Sequence, residues 1–180
     1  MFIGAETRLT AGFGPAQARL AKLIRGGLLG RASSSAYDEW RTALARDGPR
    51  GTAPWGTALE MSRLARVQFR DTAACGDLAI WPLRWEVTGP QGALVPVLDA
   101  DIMLTPAGPD TTMLAVSAVC RPQLADLAAG LDQMIMRRCA QATIQAFTHR
   151  IAATVMHPAG LLDAGEHAIL PRARPEPGAP

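Results

Sequence analysis

Between Leu59 and Cys120, apolar residues recur at every second position, and this constrains the fold more than any other feature of the chain. A period of two places alternate side chains on opposite faces of a strand. In residues 59–70, Leu59, Met61, Ala65, Val67 and Phe69 share one phase, with Arg63 among them, while Glu60, Ser62, Arg66, Gln68 and Arg70 take the other. In "DLAIWPLRWEVTG", Trp81, Leu83, Trp85 and Val87 oppose Arg84, Glu86 and Thr88. In "ALVPVLDADIMLTP", Leu98, Ala100, Ile102 and Leu104 oppose Asp99, Asp101 and Thr105. Leu114, Val116, Ala118 and Cys120 are in phase in the last run. "GPQG" at 89–92 and "PAGPD" at 106–110 are turn signals. The pattern predicts an antiparallel meander with one polar and one apolar face.

The flanks change period. "FIGAETRLT" alternates weakly and predicts a first strand over Phe2–Thr10, giving five in all. Pro15 suits the first turn of a following helix, whose apolar stripe is Ala16, Leu20, Leu23, Ile24, Gly27 and Leu28. "GGLLG" ends it, with Gly26 and Gly30 read as breakers. "SSSAYDEWRTALARDG" predicts a second helix, capped by a serine from 33–35, with Tyr37, Trp40 and Leu44 as its stripe. Residues 47–57 read as a loop.

After Cys120 the period returns to that of a helix, with Pro122 in its first turn. Leu124, Leu127, Leu131, Ile135, Cys139, Ala142 and Ala146 form one stripe. Ala140, Ile144, Phe147, Ile151 and Val155 form an adjoining one. A helix over 122–156 is about 50 Å long, and its wide apolar surface suits a concave sheet. Pro158 and Gly160 stop it. The segment 158–180 is Pro-rich and is expected to be a disordered tail, leaving a single domain over 1–157. Helices segregated on one face of an antiparallel sheet define an α+β class.

Composition excludes several functions. The chain has 180 residues, 48% hydrophobic and 19% charged, enough for one core. A formal net charge of +2 and scattered arginines argue against a nucleic-acid partner. No apolar run reaches about 18 residues, so no membrane span is expected. The first residues lack the pattern of a signal peptide, and a cytoplasmic location is the expectation. Cys75, Cys120 and Cys139 are an odd set without C-x-x-C spacing, read as reduced thiols rather than a disulfide framework or zinc site. His149, His157 and His167 lack the spacing of a histidine metal site. G-x-S-x-G, P-loop and G-x-G-x-x-G motifs are absent, and no cofactor is expected.

The runs "A-V-C-R-P-Q-L-A-D-L-A-A-G-L-D" (118–132) and "A-Q-A-T-I-Q-A-F-T" (140–148) carry a family resemblance. With the element order, they resemble the START-like, Bet v-type or SRPBCC superfamily, including its polyketide cyclase-like and small actinobacterial members. Those members carry "G-x-Y-R-P-P-L-G-x-L-G-x-x-L-D" and "A-x-A-T-V-x-x-F-L". Arg121, Pro122, Leu124, Leu127, Leu131, Asp132, Ala140, Ala142, Thr143 and Phe147 match, with Ile144 in place of valine. Cys120 replaces the tyrosine, Gln123 the second proline, and Ala125 and Ala128 replace glycines. The resemblance implies a helix-grip fold: a curved antiparallel sheet around a long C-terminal helix, with two short helices after the first strand. That fold usually has seven strands; a break at Pro82 or Pro96, or a strand within 47–57, would supply the difference. The resemblance also implies a cavity between helix and sheet for hydrophobic or aromatic ligands.

On that reading Met61, Arg63, Val67, Trp81, Trp85, Ile102, Leu114, Val116, Leu131 and Ile135 line the cavity. Arg63 either meets a ligand carboxylate or phenolate, or snorkels out near a strand end. Trp81 and Trp85 either stack on a ligand or are plain core. Asp99 and Asp101 share a face opposite Leu98–Leu104 and are read as solvated; turned inward, their repulsion would raise one pKa and suit acid–base work. Arg121 is read as pairing near Asp126 or Asp132. No catalytic or metal-ligating residue is assigned. The expected partner is a small hydrophobic molecule such as a lipid, an aromatic or a polyketide-like phenol. The alternatives are a cyclase/aromatase- or dehydratase-like enzyme using Arg63, and an interaction module with a filled core.

Overall fold

A computed structural model describes residues 1–29, 32, 36, 38–40, 42, 43, 46, 64–70, 73–88, 97–121 and 133–157. The order is β1 (Phe2–Leu9), α1 (Phe13–Arg25), β2 (Leu64–Phe69), β3 (Ala73–Cys75), β4 (Leu78–Thr88), β5 (Val97–Gly108), β6 (Thr111–Arg121) and α2 (Gln133–Met156). The strands form one antiparallel sheet in the order β1-β6-β5-β4-β2, with β3 also paired to β4. This is the expected α+β, helix-grip arrangement: first and last strands pair, and the C-terminal helix packs against both.

Local chemistry fixes α1 at both ends. Ala16 N–H is bonded to Gly12 O at 3.0 Å, so Pro15, one position earlier, forfeits no helical bond. At the other end Leu28 N–H reaches Leu23 O and Gly27 N–H reaches Ile24 O, both at 3.1 Å. This pair of bonds is a Schellman closure with Gly27, at φ +69°, in the left-handed position. Gly26 is the C-cap, as expected of a breaker, whereas Gly27, expected within the helical stripe, is the left-handed residue that ends the helix; Gly30 lies outside the described residues. Lys22 and Arg25 lie in the last turn, where they complement the helix dipole.

Helical backbone follows through Leu29, Ala32, Ala36, Asp38–Trp40, Thr42, Ala43 and Arg46. Its buried face is Ala32, Ala36, Trp40 and Ala43, a stripe of small residues around one tryptophan. Of the expected stripe only Trp40 falls within the described residues; Tyr37 and Leu44 lie outside them.

The expected strand faces are observed. Trp81, Leu83 and Trp85 on β4, Leu98, Ala100, Ile102 and Leu104 on β5, and Leu114, Val116, Ala118 and Cys120 on β6 are buried. A sixth strand, β3, joins the five. It turns into β4 through Gly76–Asp77, and Gly76, at φ +56°, supplies the positive φ that a two-residue hairpin requires.

Pro82 does not break β4. The strand runs unbroken from Leu78 to Thr88, paired with Phe69 at Leu83 and with Ala73 at Ile80. Pro82 O accepts from Arg70 N–H at 2.9 Å, so the proline's missing donor lies on the β2 side of β4 and the ladder with β5 is kept.

Helix α2, about 36 Å long, lies against β1 and β6, with α1 packed on it. Its buried face is Cys139, Ala140, Thr143, Ile144, Phe147, Thr148, Ile151 and Val155. Ile135, Ala142 and Ala146, expected in one of the two stripes, are half-buried at its margin. Thr143 and Thr148 enter the core because each hydroxyl donates to the carbonyl four residues earlier, at 2.8 Å.

Candidate functional site

A small void lies in the seam between α2 and the sheet. Leu83, Trp85, Leu98, Ala100, Ile144 and Phe147 surround a space of about 10 Å³. That is room for about one water molecule. Its origin lies in the strand register. Leu83 pairs with Ala100, Ala100 with Ala118, and Ala118 with Ile3, so two alanines sit side by side between larger residues. Ile144 and Phe147 of α2 cover the gap without filling it. The resulting contacts are apolar throughout.

Trp85 is 8% exposed, and its buried Nε1 has no hydrogen-bond partner. Buried polar groups are paired in the great majority of cases, so this donor is an exception, and it contributes no surface to the void.

The expected lining residues divide into four groups. Trp85 lines the void. Trp81, Ile102, Leu114 and Val116 share its sheet face but are packed into the core. Val67, cross-strand from Trp85, and Ile135 are half-buried against that core. Met61, Arg63 and Leu131 lie outside the described residues. Leu83, Leu98, Ala100, Ile144 and Phe147 are not singled out as lining by the sequence: alternation gives the face, but only the pairing of strands shows where two alanines meet.

The acidic pair belongs to the other face. Asp101 is exposed and Asp99 half-buried, both opposite Leu98 and Ala100, so the solvated reading holds and neither lines the void. Asp99 is held by Arg121 Nε at 3.2 Å, with Arg84 Nη1 at 3.9 Å and Glu86 3.5 Å from Arg84 Nε. Arg121 therefore pairs across the sheet with Asp99, whereas proximity in sequence suggests Asp126 or Asp132, which lie outside the described residues. Arg84 and Arg121 are substantially exposed, so this cluster adds little stability.

The remaining candidate groups lie away from the void. His149 and His157 are exposed. Cys120 is buried, and burial pushes its thiol up to about 11, with the Met1 ammonium pulling weakly the other way. A thiol so shifted is a poor nucleophile at neutral pH. Among the described residues no group of three or more His, Cys, Asp and Glu side chains is placed to hold a metal, and no helix is long and apolar enough to cross a membrane.

No protein-family model matches the chain, and no curated protein matches it significantly. Two solved structures are distantly similar. The protein TTHA0849 from Thermus thermophilus aligns with TM-score 0.30 and 12% identity, over 86% of this chain and 99% of that one. The Zhui aromatase/cyclase from Streptomyces sp. R1128 aligns with TM-score 0.31 and 10% identity, over 88% and 98%. At that distance neither alignment bears on the chemistry of the seam, and the fold assignment rests on the topology itself.

Proposed function

We propose that this chain is a START-like helix-grip domain that binds a small hydrophobic molecule between α2 and the sheet, opening at the void beside Trp85. The observation carrying the reading is the void itself: six apolar side chains around an unfilled space, at the place where the resemblance puts a cavity. The described lining holds no titratable group, which supports binding without catalysis. A drug-sized ligand needs several hundred cubic ångströms, so occupancy requires Ile144 and Phe147 to move outward. Neither side chain carries a polar group, so their movement breaks packing contacts rather than hydrogen bonds. Gln141 Nε2 to Gly4 O at 2.7 Å and Arg19 Nη1 to Val155 O at 3.4 Å tie α2 to its neighbours on either side of that place.

The test is thermal unfolding of the full chain with a panel of neutral aromatics, phenols and lipids. A ligand at about 100 times its Kd should add about 2.7 kcal/mol of stability. Ala100→Val, which fills the void, should remove the effect. A panel that changes neither melting temperature nor ligand NMR signals overturns the reading.

A second reading, a filled-core interaction module, draws on a separate observation. Phe2 (70% exposed) and Val119 (37% exposed) are cross-strand partners on the outer face of β1 and β6. An inert panel would favour it. The enzymatic alternative depends on Arg63, outside the described residues.

A further inference from the structure

We propose that two copies of this chain join through β1, edge to edge and antiparallel, with Glu6 of each copy facing Arg8 of the other. This goes beyond the binding reading and uses a different part of the molecule. Among the described residues β1 is paired on one side only, with β6. Met1 and Cys120 exchange both of their backbone bonds, and bonded and non-bonded pairs alternate along an antiparallel ladder. Ile3, Ala5, Thr7 and Leu9 are therefore bonded to β6, while Phe2, Gly4, Glu6 and Arg8 turn their main-chain groups away from it. Such a row is a template for a further strand. The side chains of Phe2, Glu6 and Arg8 lie on the exposed face of β1. Neither Glu6 nor Arg8 has an ion pair among the described residues, so both charges are available to a partner.

The charges select a second copy and fix its register. A two-fold axis between two β1 strands brings identical surfaces together, and it can pass beside Ala5, Glu6, Thr7 or Arg8. An axis at Glu6 sets Glu6 against Glu6, and an axis at Arg8 sets Arg8 against Arg8; like charges directly opposite are destabilising. An axis at Ala5 sets Gly4 against Glu6 and leaves both charges without an opposite. It also calls on Gly4 O, which Gln141 Nε2 already holds at 2.7 Å. An axis at Thr7 sets Glu6 against Arg8 on both sides of it. Both residues turn their main-chain groups outward, so each such pair exchanges two backbone bonds as well as opposite charges. Gly4 then falls opposite Thr10, past the end of β1 at Leu9, and keeps its bond to Gln141. An edge-to-edge contact of this kind is small, which makes the dimer weak and dependent on concentration.

The experiment is sedimentation equilibrium of the full chain over a range of concentrations, without added ligand. The natural chain should pass from its 19.0 kDa monomer to twice that mass as its concentration rises. Glu6→Arg and Arg8→Glu each replace two attractions by two repulsions, and each should raise the dimer Kd about tenfold or more. Mixed in equal amounts, the two reversed chains should associate with each other, within about threefold of the natural affinity, because every charge again meets its opposite. A general loss of structure could not produce that recovery. If either reversed chain fails to fold by circular dichroism, Glu6→Gln and Arg8→Gln take their place, each expected to weaken the dimer about threefold. A natural chain that stays monomeric at about 1 mM overturns the proposal. So does a dimer indifferent to these substitutions, or a mixture of the reversed chains that associates no better than either alone.

Discussion

Gln141 of α2 donates from Nε2 to the main-chain oxygen of Gly4, 2.7 Å away, and so ties the helix to β1, an edge strand among the described residues. The direction of that carbonyl follows from the ladder. Met1 and Cys120 exchange both backbone bonds, at 3.1 and 2.9 Å. Antiparallel pairs alternate between bonded and non-bonded, so Ile3↔Ala118 is bonded and Gly4↔Ser117 is not. Gly4 O therefore points away from β6, and Gln141 covers one acceptor of an edge that could recruit another strand. Gln141→Ala should cost about 1 kcal/mol in denaturant unfolding. An unchanged midpoint would show that water replaces the amide without loss.

The helical phase of α2 is tested by neighbouring substitutions. Ile144 is fully buried over the void, and Gln145 is exposed. Ile144→Asp buries an unpaired charge and should cost more than about 4 kcal/mol, or prevent folding. Gln145→Asp should stay within about 0.5 kcal/mol. Similar midpoints for the two variants would contradict the packing described.

How far the fold can be read from sequence depends on the range of each interaction. Strand faces on β4, β5 and β6 follow from alternation alone, because residues such as Trp81, Leu83 and Trp85 carry the signal locally. Ile144, Phe147, Ile151 and Val155 phase the C-terminal helix correctly. Counting apolar residues misses Thr143 and Thr148, whose hydroxyls are satisfied within the helix and so behave as core. Strand β3 is short, and its strongest signal is the Gly76–Asp77 turn. Long-range facts are not legible: Arg121 finding Asp99, the alanine pair beneath Ile144, and the orphan nitrogen of Trp85 all depend on register between strands.

Two glycines, one in the first turn of α1 and one just past its end, should respond oppositely to alanine. Gly27 has φ +69°, and nothing crowds the space a Cβ would occupy. The cost of Gly27→Ala is then backbone strain alone, about 1 kcal/mol. Gly14 also has open space around a Cβ, but sits in the first turn of the helix without a positive φ. Gly14→Ala should stabilise by about 0.5 to 1 kcal/mol, through helix propensity and a less disordered unfolded chain. Melting temperatures moving in the same direction for both would refute the assigned helix end.

Stability should fall in alkali because of Cys120. Burial raises its thiol from 9.0 to about 11. Between those values the unfolded chain releases the proton while the folded chain keeps it, so the unfolded state binds fewer protons and stability declines as pH rises. The contribution is fully present below about pH 9 and is lost as the pH approaches about 11. Two units correspond to roughly 2 to 3 kcal/mol at most. Cys120→Ala lowers stability at neutral pH by removing buried sulfur, but it also removes the titration. Its denaturant midpoint should therefore decline less than that of the natural chain between about pH 9 and about pH 11, the window set by the same shift. Parallel decline in the two proteins would mean that Cys120 titrates normally in the fold, and that the alkaline loss belongs to other groups.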